Sequence, residues 1–91
     1  MKSIEKDPIA VLDYGWDWND WLDGDSISTS TWSISGADSS LTEASSSVAA
    51  GIATIWMSGG TDGVIYTVTN KVVTAGGRTD ERSFMVNMSN R

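Results

Sequence analysis

Val64-Ile65-Tyr66-Thr67-Val68-Thr69-Asn70-Lys71-Val72-Val73-Thr74 is followed by the Gly76-Gly77 turn and then by the run Thr79 to Met88, and this stretch decides the fold. The first run is rich in β-branched and aromatic residues, which suit a pleated, half-buried ribbon. The glycine pair closes a hairpin, and the returning run places Phe84, Val86 and Met88 on one face. Working backward, Gly59-Gly60-Thr61-Asp62-Gly63 is a turn, because its three glycines reach positive φ at little cost. Gly51 to Ser58 alternates Ile52, Thr54 and Trp56 with Ala53, Ile55 and Met57, a pattern expected of a central strand covered on both sides. Leu41 to Ser47 is a weaker strand, and Asp38 to Ala50 as a whole reads as a strand plus an irregular loop. Asp25 to Ser35 sets Trp32 and Ile34 on one face, and Ile9 to Trp18 sets Tyr14, Trp16 and Trp18 opposite Asp13 and Asp17. Between them, Trp18, Trp21 and Leu22 fit one helical turn, with Asp17 as cap and Gly24 as stop. Six or seven short strands with regularly spaced turns predict an all-β, two-sheet antiparallel sandwich.

A chain of 91 residues supports one small core. The expected organisation is an N-terminal arm over residues 1–7 and a single domain over 8–91. The sequence contains neither cysteine nor histidine. Disulfides, thiolate nucleophiles, Ser-His-Asp catalysis and the commonest zinc ligand sets are thereby excluded. The net charge is −6, which disfavours nucleic-acid and anionic-membrane partners, since both need clustered Lys and Arg. Nine of the twelve acidic residues precede Ser46, leaving −7 on that stretch and +1 on the rest. The opening Met1 to Asp7 has no apolar stretch, so no cleaved secretion signal is expected, and no apolar run along the chain approaches the ~20 residues that a spanning helix needs.

Asp13 to Asp25 packs four aromatics and five aspartates into thirteen positions. A calcium loop fails on spacing, because after Asp17 and Asn19 the third ligand position is Trp21. No metal or other cofactor is expected. Paired carboxylates for glycoside hydrolysis would need a cleft that so small a sandwich rarely builds. The remaining alternatives are core packing and an interface. Trp32 and Trp56 lie on well-patterned strands and are expected to fill the core. Trp16, Trp18 and Trp21 cannot all face inward, so at least one is expected to be exposed or docked on another chain. Tyr66, preceded by Gly63, Val64 and Ile65, has the placement of a tyrosine corner, in which the ring is buried and the hydroxyl bonds backbone upstream. Arg78, Asp80 and Arg82 share a strand face, available for mutual pairing or for docking.

Lys6-Asp7-Pro8, Leu12-Asp13-Tyr14-Gly15-Trp16-Asp17-Trp18 and Trp21-Leu22 resemble small tailed-phage proteins of the fiber-tail adaptor family. So do Trp56-Met57-Ser58-Gly59-Gly60, Gly63, Tyr66, Val68-Thr69-Asn70 and Gly77-Arg78-Thr79-Asp80-Glu81-Arg82-Ser83-Phe84. The likeness runs from about Lys6 to Met88, and Ala44 to Ala50 departs from it. It implies an immunoglobulin-like sandwich and a multimeric virion structural protein, made in the host cytoplasm and without catalytic residues. Such a protein would join tail fibers or spikes to the tail, or alternatively decorate the head. The partner-binding residues expected from the surplus of aromatics and from the hairpin arginines are Tyr14, Trp16, Trp18, Trp21, Leu22, Arg78 and Arg82. A carbohydrate-binding module using the same tryptophans is the rival from another class, and an enzyme is the least favoured.

Overall fold

The computed structural model describes residues 2–89; Met1, Asn90 and Arg91, at the limits of the expected arm and domain, lie outside the described residues. Seven strands and one helical turn follow one another as β1 (Lys2–Lys6), β2 (Leu12–Asp17), α1 (Asn19–Leu22), β3 (Ile27–Ser35), β4 (Leu41–Ala49), β5 (Ile52–Gly59), β6 (Ile65–Thr74) and β7 (Thr79–Met88). One sheet has the order β1-β7-β6-β3 and the other β2-β5-β4. Lettered in chain order, these are A-G-F-C and B-E-D, the immunoglobulin-like arrangement with the first strand moved onto the C-F-G sheet.

The β6–β7 hairpin is the longest ladder, running from Ile65↔Asn87 to Val73↔Thr79. Its inward residues Tyr66, Val68, Phe84 and Val86 meet Ile55 and Met57 of β5 in the main core. A second cluster of Trp18, Leu22, Ala53 and Val72 continues that core toward α1. Tyr66 is fully buried, and its hydroxyl accepts a bond from the Thr61 backbone N–H at 3.0 Å. This is the tyrosine corner that the approach through Gly63 predicts. The same hydroxyl donates to Asp38 Oδ1 at 2.5 Å. Asp38 also accepts from the Ser40 N–H and hydroxyl and from the Thr61 hydroxyl. These bonds hold its carboxyl well below the usual carboxylate range, the Tyr66 hydroxyl contributing most.

Four expectations need correction. Residues 2–6 are not a separate arm in this fold: they form β1, whose register on β7 runs in parallel from Lys2↔Phe84 to Lys6↔Met88. Lys6 is buried there, and its ammonium donates to the carbonyls of Gly59 at 2.8 Å and Asp7 at 3.0 Å. Burial lowers its pKa against the opposing pull of Asp7. Second, β5 is central in its sheet but covered on one face only. Ala53, Ile55 and Met57 are buried, whereas Trp56 faces outward, half-buried, between Asp13 and Ser45 on the neighbouring strands. Third, the strand expected to give way to loop after Ser47 continues to Ala49, interrupted by a register shift between Glu43 and Ser45. The β4–β5 turn follows at Ala50 and Gly51, both at positive φ (53° and 77°). Fourth, the cap of the helical turn is Trp18, without a side-chain cap bond, and not Asp17, and the turn ends at Asp23, which takes the left-handed conformation one residue before Gly24.

Candidate partner-binding surface

The segment singled out by its aromatics is folded inward as a stacked series. Along β2, Leu12, Tyr14 and Trp16 face the core and Asp13, Gly15 and Asp17 face solvent, as the alternation predicts. Tyr14 lies 4.2 Å from Phe84 between ring centroids, and Trp16 lies 6.3 Å from the same ring. Trp18 follows Trp16 at 6.4 Å and meets Trp21 edge-on at 5.2 Å. The chain turns at this point because Asp17 Oδ1 accepts the Asn19 N–H at 2.9 Å and the Asn19 side-chain amide at 2.8 Å. That amide also donates to the Ala50 carbonyl, and the Trp18 N–H donates to the Gly51 carbonyl, so α1 grips the tip of the β4–β5 hairpin.

Trp18 is the centre of this end. It is 0% exposed, its Nε1 donates to Asn70 Oδ1 at 2.8 Å, and the Arg82 guanidinium sits 4.7 Å from its ring centroid. Asn70 in turn donates to the Ser30 hydroxyl and the Thr31 carbonyl. One buried indole is thus tied to β6, β7 and β3, and the buried amide has partners at both its oxygen and its nitrogen.

Arg78 lies just ahead of β7, not on a strand face shared with Asp80 and Arg82, and it does not stand free at the hairpin tip. It donates to the carbonyls of Trp21 at 3.0 Å and Leu22 at 2.6 Å, pairs with Asp25 Oδ2 at 3.3 Å, and stacks 4.5 Å from the Trp21 ring centroid. It therefore satisfies carbonyls at the end of α1 that the short helix leaves open. The Asp25 carboxyl is held below its ordinary pKa, first by the Thr74 hydroxyl and then by the Ser26 N–H, with Arg78 adding to both.

Of the seven expected contact residues, Trp18 and Leu22 are buried, and neither offers surface to a partner in this fold. Tyr14, Trp16, Trp21 and Arg82 are half-buried, and Arg78 is exposed. All but Tyr14 gather around α1, with Tyr14 one step further down the aromatic series. The surplus of exposed indole that the sequence suggests is absent among the described residues. The large exposed apolar side chains there are aliphatic: Ile9 (92%), Val11 (63%), Ile65 (58%), Val48 and Ile52. Ile9 and Val11 belong to the Pro8-led link between β1 and β2, where two exposed aliphatics beside a proline are the only sequence signal for them. Asn70 and Asp25 escape a reading of the sequence, since the partners of Asn70 lie 39 to 52 residues away and Arg78, which pairs with Asp25, lies 53 away.

An open cleft of about 420 Å³ separates α1 and the start of β3 from the end of β4, with Leu22, Ile27 and Val48 among its walls. Among the described residues no three acidic side chains are grouped to hold a metal ion, and no helix is long and apolar enough to cross a membrane.

No match was found among curated proteins. A family model described as podophage GP4 fiber-tail adaptor protein gp77 matches residues 6–87, from the buried Lys6 to the end of the β7 ladder. With that match reaching from β2 into β7, the chain belongs to the podophage GP4 fiber-tail adaptor protein gp77 family.

Proposed function

We propose that this protein is a non-enzymatic connector in a short-tailed phage particle, joining fibers or spikes to the tail through protein–protein contacts. The family match over residues 6–87 carries this reading. The sandwich supports it by offering a rigid α1 end whose groups are already fixed before any partner arrives. The contact face we assign is the outer rim of that end, with the half-buried Trp21 and Trp16 beside the exposed Arg78. Trp18, Leu22 and Arg82 hold this rim from beneath, and Tyr14 extends it down the aromatic series. Pre-organised aromatic and Arg groups of this kind dominate binding energy when a partner covers them. The alternative of a glycan-binding module is disfavoured, because none of the five tryptophans is among the exposed large hydrophobics.

The test replaces Trp21 with Ala and measures both folding and incorporation into particles during infection. The expected result is a folded domain that is depleted from particles. Normal incorporation of both Trp21→Ala and Asp20→Lys overturns the assignment of this face. Absence of the wild-type chain from purified particles overturns the connector reading itself.

A further inference from the structure

Four of the five tryptophans serve the core. Trp18 belongs to the smaller core cluster, and Trp16, Trp21 and Trp32 pack against one or both clusters. Each of the four also lies against another aromatic ring. Trp56 does neither, and among the described residues its side chain has no ring contact and no hydrogen bond. It stands on the outer face of the β2–β5–β4 sheet, with Asp13 across from it on β2 and Ser45 on β4. The next pair along that face, Gly15 and Thr54, adds little bulk, and Asp17 follows roughly 14 Å from Asp13 at ~3.4 Å per residue. The three strands of this sheet carry Asp13, Asp17 and Glu43 and no Lys or Arg. Asp13 is exposed and takes part in no hydrogen bond or ion pair among the described residues. The outer face of the other sheet is a contrast. There Lys71 stands across from Glu81, the Thr69 and Ser83 hydroxyls bond each other at 2.7 Å, and Trp32 points inward beside Asn70.

We infer that this face, centred on Trp56, docks a basic segment of another virion protein, with an arginine or lysine stacked on the indole and paired with Asp13. The inference rests on the connector reading, since a connector needs a contact besides the α1 rim. Charge selects the occupant. Three carboxylates on one sheet with no cation among them attract a basic segment and repel an acidic one. A cation over an indole gains from the electron-rich ring face, and a carboxylate about 5 Å away across the strands is within reach of the same cation. The chain makes this arrangement within itself at α1, where Arg78 lies over Trp21 and pairs with Asp25. Its own described cations are engaged: Arg78 in that way, Arg82 over Trp18, the buried Lys6 on the Gly59 carbonyl, and Lys71 across from Glu81. A different protein, rather than a second copy, therefore supplies the cation for Trp56.

The test uses particles assembled with the full chain carrying the photo-cross-linking residue benzoylphenylalanine in place of the exposed Ser45. Irradiation is expected to join it to another virion protein within a segment that contains Lys or Arg. That segment, made as a synthetic peptide, should bind the purified chain, and Asp13→Asn and Trp56→Ala should each weaken the binding at least about tenfold. Because Asp13 makes no bond within the fold, Asp13→Asn reads the contact even where Trp56→Ala unfolds the chain. Peptide binding by Asp13→Asn that equals the wild type overturns the inference. So does equal weakening by Thr31→Lys, which changes the net charge by the same amount on the outer face of the other sheet. A link to a second copy, a linked segment without Lys or Arg, or retention on a glycan array that Trp56→Ala abolishes overturns it too. Absence of the wild-type chain from particles refutes the connector reading and this inference with it, whereas particles that hold the chain without any link refute the inference alone.

Discussion

Asp13 to Asp25 and Leu41 to Ala49 are the chemically loudest and quietest stretches of the chain, and the fold treats them in opposite ways. The first is full of indole and carboxylate, yet its rings stack inward from Tyr14 to Trp21, and Asp17 and Asp25 are spent on local hydrogen bonds. The second is mostly Ser, Ala and Thr, and it lies bare on both faces beyond Leu41. Large rings bring the most burial energy, and a small sandwich draws on them for its core before any are left for a partner. Small hydroxyl residues contribute little to a core, and their cost as surface is low. Conspicuous residue types therefore mark what holds the molecule together, and a plain strand is where backbone remains available.

The contrast can be broken most forcefully at Trp18. Trp18→Ala removes a fully buried ring and strands the Asn70 oxygen, for an expected loss of about 3–5 kcal/mol in urea unfolding. A loss under about 1 kcal/mol would show that the ring is not the centre of the core end. Next in size is Gly51→Ala. Gly51 has φ 77°, and a Cβ there would collide with the Asn19 side chain, whose amide bonds Ala50 and Asp17. A loss of about 2 kcal/mol is expected. The double variant Gly51→Ala with Asn19→Ala should recover the steric component and leave the backbone strain, which sharpens how α1 and β4–β5 depend on each other.

Acid provides a third comparison, between the α1 end and the corner at Tyr66. The folded-state pKa values of Asp38 and Asp25 are both depressed. Their contribution to stability is therefore complete above the unfolded carboxylate value, near 4, and is lost as pH falls below it toward the folded values. Unfolding followed between pH 7 and pH 2 should weaken on the acid side, and Asp38→Asn should flatten that slope more than Asp25→Asn does. The smallest effect belongs to the quiet strand. Ser46→Ala should change monomer stability by less than about 0.5 kcal/mol, since nothing in the fold covers that side chain.

What can be seen in the sequence follows the same division. The β6–β7 hairpin, the tyrosine corner and the inward set Phe84, Val86 and Met88 are legible, because period-two alternation and glycine turns are local signals. The single turn at Trp18, Trp21 and Leu22 is legible for the same reason. Trp56 is misplaced by its pattern because both faces of β5 are apolar in sequence, and alternation alone does not say which face meets the other sheet. The end of β4 reads as loop because serine and alanine carry no strand preference; its β-structure comes from pairing with β5. Arg78 reads as a hairpin-tip residue because Trp21, Leu22 and Asp25, the groups it binds, are more than fifty residues away in the chain. The fold is thus readable where it is local, and the candidate surface is readable by residue type but not by exposure.

The parallel ladder of β1 on β7 also has a mechanical consequence. Tension drawn from ahead of Lys2 and beyond Met88 pulls these two strands along their own axes in opposite senses. The load then falls on all the rungs of the ladder together, as shear, where an antiparallel hairpin would unzip rung by rung. The buried Lys6, clasped to Gly59, adds an anchor at the far end of the same strand. A subunit strung between two larger bodies would resist stretching best along this line.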